Sequence, residues 1–170
     1  MRDQALHDPL TGLFNRRYME EMLKQEIAKA ARGKKPLSVV MLDMDHLKEI
    51  NDIYGHIEGG DEALQALAKS IQPLCRSGDT FCRYAGDEFI VILCDTDLDA
   101  AFKRTQEWRE AVSKLSIKSG DIEFNITFSA GVAEYSGKGE DENKLIQQAD
   151  RALYEAKELG RDRVVAYREK

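Results

Sequence analysis

The sequence predicts an α+β or α/β fold on a largely antiparallel sheet. Three observations carry that prediction: helical apolar spacings are mixed with short apolar runs, two pairs of strand-like segments turn through Gly-containing tips, and no repeat or linker interrupts them. Residues 7–18 pack Asp, Pro, Thr, Gly and Asn into a turn-rich segment before a helix. Met19, Met22, Leu23, Ile27 and Ala30 then recur at helical spacing, and Gly33 ends the run. Pro36 opens residues 37–42, best read as a buried strand. Residues 51–61 are Gly-rich and read as a loop entering a helix, whose apolar face is Leu64, Leu67, Ala68 and Ile71 and which stops before Pro73. Residues 80–84 and 89–94 read as strands joined by Ala85-Gly86-Asp87-Glu88, a hairpin signal. Leu98, Phe102, Trp108, Val112 and Leu115 define a third helix. Residues 117–135 read as a second hairpin turning near Ser119-Gly120-Asp121. Leu145, Ala149, Ala152, Leu153 and Ala156 give the last helix, followed by Gly160 and a short strand at 164–167.

A chain of 170 residues suits one domain with its own core. Apolar residues make up 42%, charged residues 33%, and there are only 3 Pro, a globular profile. No apolar run is long enough to cross a bilayer and residues 1–10 are polar, so neither membrane contact nor secretion is expected, and the domain is placed in the cytoplasm. Lys and Arg number 25 against 31 Asp and Glu, a net −6 that argues against a nucleic-acid binder. A few clustered cations and a metal still permit a nucleotide site. Cys75, Cys82 and Cys94 form no C-x-x-C pair and read as buried apolar residues in a reducing compartment.

The first strand ends at Asp43, with Asp45 two residues on, and the hairpin tip carries Asp87 and Glu88. If these strands are neighbours, three or four carboxylates meet at one sheet edge. Carboxylates without His or Cys company suit Mg²⁺, which takes oxygen ligands and keeps substrate phosphates in its shell. The plainer alternative is a set of solvated acidic turns. Lys48, Lys157 and Arg161 are the cations for a phosphate chain, the last two lying four apart on one helix face, where they equally suit a helix C-terminus. Asn51, His56 and Asp61 lie in the Gly-rich stretch, and His7 and His46 read as surface residues. Composition and pattern stop at an α+β domain with a candidate Mg²⁺–nucleotide site.

Five ordered blocks then stand out. They are Asp8-Pro-Leu-Thr-Gly-Leu13 with Asn15-Arg16-Arg17; Leu42-Asp43-Met44-Asp45-His46-Leu47-Lys48 with Asn51-Asp52-Ile53-Tyr54-Gly55-His56; Arg83-Tyr84-Ala85-Gly86-Asp87-Glu88-Phe89; Ser129-Ala130-Gly131-Val132-Ala133; and residues 149–157, Ala-Asp-Arg-Ala-Leu-Tyr-Glu-Ala-Lys. Over residues 7–165 the chain resembles the GGDEF family of diguanylate cyclases. The resemblance implies a central sheet wrapped by helices, similar to the palm domain of adenylyl cyclases and polymerases. It also implies condensation of two GTP into cyclic di-GMP and two pyrophosphates, across a homodimer, with Mg²⁺ or Mn²⁺. By position, Asp43, Asp87 and the Met44 carbonyl would hold the metal, and Asp87, Glu88 and Lys48 would act in catalysis. The main chain at His46 and Leu47, with Lys157 and Arg161, would hold phosphates, and Gly86 would let the backbone approach the nucleotide. Asn51, His56 and Asp61 would form the guanine site. Arg76-Ser77-Gly78-Asp79, five residues before Ala85, resembles the family's R-x-x-D product-inhibition site.

Two departures matter. Ala85 replaces the signature's first Gly and is expected to alter the turn slightly, since alanine resists positive φ. Gly59-Gly60-Asp61 carries one Gly more than the family pattern. The extra residue is expected to bulge, the paired glycines absorbing unusual backbone angles, so that Asp61 still reaches guanine. A displaced contact would instead relax base choice towards a mixed GMP–AMP dinucleotide. A different class of function is a catalytically silent cyclic di-GMP receptor working through Arg76 and Asp79. Retention of Asp43, Lys48, Asp87, Glu88 and Lys157 favours the enzyme. The resemblance also implies a domain taken from a longer protein, with an upstream sensor or receiver module.

Overall fold

The computed structural model describes residues 5–169; residues 1–4 and 170, which the sequence reading includes in the domain, lie outside the described residues. The first helix, α1 (Arg16–Gly33), begins where the Asn15 side chain accepts from the Tyr18 amide, and ends at Lys34, whose φ of 50° breaks the helix. Strand β1 (Leu37–Met44) follows, buried along its whole length. Two helices come next, α2 (Leu47–Tyr54) and α3 (Glu62–Ile71), joined by one π-helical turn at His56–Asp61. This corrects the reading of residues 51–61 as a loop: the chain stays helical throughout, apart from Gly55. Periodicity missed α2 because Ile50 is its only buried residue.

The hairpin β2 (Thr80–Ala85) and β3 (Glu88–Cys94) forms as expected, with a register shift between Arg83 and Ala85. Helix α4 (Leu98–Ser113) starts on an Asp97 cap. The expected hairpin at 117–135 divides in two. β4 (Ile117–Ser119) and β5 (Ile122–Phe124) make a separate ribbon, while β6 (Phe128–Glu134) enters the main sheet. Helix α5 (Glu142–Glu158) and strand β7 (Val164–Ala166) complete the chain.

The main sheet runs β2-β3-β1-β6-β7, antiparallel except where β7 joins β6 in parallel. The fold class is therefore the predicted α+β one. Strand parity sorts β1 into two cores. Val40, Leu42 and Met44 face a cluster containing Leu64, Leu67, Trp108 and Val112 of α3 and α4. Leu37, Val39 and Met41 face Met19 and Leu23 of α1 and Leu145, Ala149 and Leu153 of α5. Asp43 shares the odd parity, which directs it to the α5 side. The approach of α5 is close, because at Gly131 of β6 a methyl would run into the Ala149 carbonyl and the Leu153 amide.

Residues 7–14 line the outer edge of β2. Phe14 bridges to Cys82, its amide donates to the Phe81 carbonyl at 3.3 Å, and the Arg83 amide donates to the Phe14 carbonyl at 2.9 Å. The cysteines are unpaired, and burial pushes each thiol up to about 12; Cys82 is buried as expected, whereas Cys75 and Cys94 are only half-buried. Among the described residues no helix is long and apolar enough to cross a membrane.

Candidate active site

Antiparallel pairing sets Asp43, near the end of β1, opposite Glu88 at the start of β3. The tip between β2 and β3 is braced from both sides. The Met44 amide donates to the Asp87 carbonyl at 3.0 Å. The Arg83 guanidinium donates twice to the Gly86 carbonyl, at 3.1 and 2.8 Å, and also reaches both oxygens of Asp8 at 3.3 Å. Asp8 in turn accepts from the Thr11 hydroxyl and amide. The opening segment thus holds the tip through Arg83, a role for which its place in the signature gave no signal. Neither Ala85 nor Gly86 has positive φ, so alanine at 85 meets no strain of that kind. A methyl at Gly86 would meet nothing within 4 Å, so the tip faces open space.

Asp43 and Asp87 line a cleft of about 240 Å³ with Lys48, Lys157 and Arg161. Lys157 donates to Asp43 Oδ2, while Asp43 Oδ1 is buried with no hydrogen-bond partner. Burial pushes the Asp43 carboxyl up to about 7; the Lys157 hydrogen bond pulls it down and neighbouring Asp87 pushes it up. Burial likewise raises Glu88, with Asp150 and Asp87 adding to it. Burial would lower Lys157, but its hydrogen bond to Asp43 and the surrounding carboxylates hold it above its ordinary value. Among the described residues Lys157 is the one cation bonded directly to any of these three carboxylates, a local deficit of directly paired positive charge.

That deficit and the stranded Oδ1 fit a hard cation held by few protein oxygens, with phosphates and water completing its shell. Among the described residues no three His, Cys, Asp or Glu side chains form a ready metal cage. Asp45 borders the same cleft, but its carboxylate is engaged elsewhere, so three of the expected three or four carboxylates gather at this edge. Its side chain is buried, accepting from the Thr127 and Ser129 hydroxyls, each at 2.7 Å, and from the Asp162 amide at 3.1 Å. It ties β1 to β6 and to the left-handed pair Arg161–Asp162, with φ of 66° and 47°, from which Arg161 enters the cleft.

The opposite wall is the start of α2. No side chain caps this helix, and His46, at its N-cap position, is left-handed with φ 61°. Its first-turn amides therefore lack a side-chain acceptor, a favourable setting for phosphate oxygens. Lys48 is exposed there, and Asn51 lies one turn further along.

The π-helical turn contains the paired glycines Gly59 and Gly60. The Gly55 carbonyl accepts from the amides of both Gly59 and Gly60, at 3.0 and 3.1 Å, the second being the i to i+5 bond of a π turn. Neither glycine has positive φ, so the expected unusual angles are not what selects them. Space is. At Gly59 a methyl would stand 2.7 Å from Tyr54 Cβ, and at Gly60 it would overlap Asn51 Oδ1. Asp61 and His56 make no side-chain hydrogen bonds among the described residues, and His56 is exposed.

Arg76 and Asp79 stand apart, before the far end of β2, about 20 Å along the strand from the tip. They line their own cleft of about 260 Å³. Arg76 is exposed, whereas the Asp79 side chain is only 2% exposed. Asp79 Oδ2 accepts from the Arg76 amide at 2.7 Å and from Arg104 at 2.6 Å. Arg104 is 25 residues away, which hides this partner from any short motif.

The description "Diguanylate cyclase, GGDEF domain" belongs to a family model that matches residues 5–163. Diguanylate cyclase DgcP of Pseudomonas aeruginosa is 39% identical over 163 residues, covering 96% of this chain and 24% of its own length. Response regulator PleD of Caulobacter vibrioides is also 39% identical over 163 residues, covering 95% of this chain and 36% of its own. Among solved structures, the GGDEF domain of DgcB from Caulobacter crescentus, in complex with c-di-GMP, superposes with a TM-score of 0.92. It is 32% identical and covers 97% of this chain and 94% of that one. The chain thus spans between about a quarter and a third of the length of these two curated relatives.

Proposed function

The chain belongs to the GGDEF family of diguanylate cyclases, and on that premise we propose that it condenses two GTP into cyclic di-GMP. One GTP binds per domain, and two domains face each other. Each 3′-hydroxyl attacks the α-phosphorus of the partner's GTP: a 3′ O–P bond forms, the bond to pyrophosphate breaks, and two pyrophosphates leave. Asp43, Asp87 and the Met44 carbonyl would hold Mg²⁺, or Mn²⁺ in its place, which when bound would supply charge neutralisation on the triphosphate. Asp87 accepts the hydroxyl proton, with Glu88 supporting it. Lys48 and the main chain at His46 and Leu47 hold the phosphates, Lys157 and Arg161 take the γ end, and Gly86 admits the nucleotide against the hairpin. Asn51 and Asp61 read guanine, with His56 beside them, and Arg76 and Asp79 bind product as an inhibitor. The domain works as the output module of a longer cytoplasmic regulator, an arrangement supported by the greater length of its relatives.

The observation that carries this reading is the stranded oxygen of Asp43 beside Asp87 and Lys157. A solvated acidic turn would leave no carboxylate oxygen buried without a partner. Incubation with GTP, ATP and Mg²⁺, followed by mass identification of the dinucleotides, tests the reading. Cyclic di-GMP is expected as the main product, and Asp87→Asn should abolish it while leaving the fold intact. Near-normal turnover by that variant would remove Asp87 from the mechanism, and a mixed dinucleotide as main product would overturn guanine specificity.

A further inference from the structure

We propose that Gly60, the additional residue of the π-helical turn, is a positioning residue that fixes the Asn51 carboxamide and thereby sets the chain's preference for a 6-keto over a 6-amino purine. The inference rests on the reading that Asn51 contacts the base. Gly60 is buried, and its φ is not positive, so its backbone does not demand glycine. What it provides is room. A methyl at this position would overlap Asn51 Oδ1 and stand 3.0 Å from Cγ and 3.4 Å from Nδ2.

Asn51 Oδ1 is thus seated against the bare Gly60 Cα, buried and without a hydrogen-bond donor. The nearby backbone groups are already paired. The Gly59 and Gly60 amides go to the Gly55 carbonyl, and the Gly55 amide goes to the Asn51 carbonyl at 2.8 Å. A buried amide oxygen is rarely left unpaired, so packing and not hydrogen bonding holds this orientation. With its oxygen turned into the wall, the carboxamide offers its Nδ2 donor outward, and among the described residues Nδ2 has no partner. A fixed donor matches the O6 acceptor of guanine or hypoxanthine and opposes the N6 amine of adenine. The colliding atom is the far end of a free side chain, so a methyl at position 60 displaces the carboxamide and leaves the fold standing.

Binding of 3′-deoxy-GTP, 3′-deoxy-ITP and 3′-deoxy-ATP with Mg²⁺, measured by calorimetry, separates the contributions because none of these probes can cyclise. In Gly60→Ala, affinity for the GTP and ITP analogues should fall about tenfold, matching about 1.4 kcal/mol. Affinity for the ATP analogue should change less than twofold, and the GTP-to-ITP ratio should hold, since it reports the 2-amino group. Asn51→Ala should reproduce this pattern, and adding Gly60→Ala to it should cost nothing further. An unchanged GTP-to-ATP ratio in Gly60→Ala, with the ratio lost in Asn51→Ala, overturns the role of Gly60 and spares the base reading. A wild-type protein that does not discriminate between the GTP and ATP analogues overturns both. If Gly60→Ala instead lowers Tm sharply, Asn51→Ala in the same chain should restore it; failure to restore it shows that the collision is not with Asn51 and overturns the inference.

Discussion

Burial lifts the Asp43 carboxyl from 3.8 to about 7, so between those values the folded chain binds a proton that the unfolded chain has released. Its contribution to stability is full below about 3.8 and is lost as pH rises towards about 7. Tm of the metal-free protein should therefore climb as pH falls from 8 to 6, a trend that Asp43→Asn should flatten. The same variant should raise Tm at pH 8 and abolish cyclisation, the joint outcome expected of a residue kept for chemistry at some expense of the fold. A Tm profile unchanged by Asp43→Asn would contradict the account. Arg76 is exposed and free to grip an anion, whereas Asp79 is already committed to Arg104. Arg76→Ala should weaken cyclic di-GMP binding by about 1.5–3 kcal/mol, roughly ten- to a hundredfold, measured by calorimetry. Equal affinity in the two proteins would reduce Arg76 and Asp79 to a structural pair.

Helix α5 carries Lys157 to the cleft, and its seat depends on the bare Cα of Gly131. Gly131→Ala pushes against backbone atoms of α5, which cannot rotate away as a side chain can. Overpacking of this kind costs about 1–3 kcal/mol, or about 3–10 °C in Tm for a chain of this length. Turnover should fall more than Tm alone explains, because Lys157 lies one helical turn beyond Leu153. Full activity at a temperature where the variant is folded would show that α5 tolerates the shift. Elements of this kind were legible in the sequence: β1, the β2–β3 hairpin, α1 and α5 each bury a regular apolar stripe. Helix α2 was not, since seven of its eight residues are at least partly exposed. The site was legible to a similar degree. Asp43, Asp87, Lys48 and Lys157 do converge, yet spacing could not tell Asp43 from Asp45. That difference lies in Thr127, Ser129 and Asp162, more than 80 residues downstream.

A single domain holding one GTP cannot close a ring of two nucleotides, so turnover per molecule should rise with protein concentration. Rates from nanomolar to high micromolar, with the association state followed by sedimentation, check this. A flat rate from a monomer would contradict the two-domain reaction. How two copies can meet is limited by the margins of the sheet. One margin, β2, is occupied in part by residues 7–14 of the same chain, and the other, β7, is only three residues long. Little backbone is left to template another chain, which protects the protein from fibril-like growth. Extension of the main sheet is therefore disfavoured as a way for copies to join. If two domains face each other as proposed, the geometry of the sheet margins leaves that meeting to side chains and bound nucleotide.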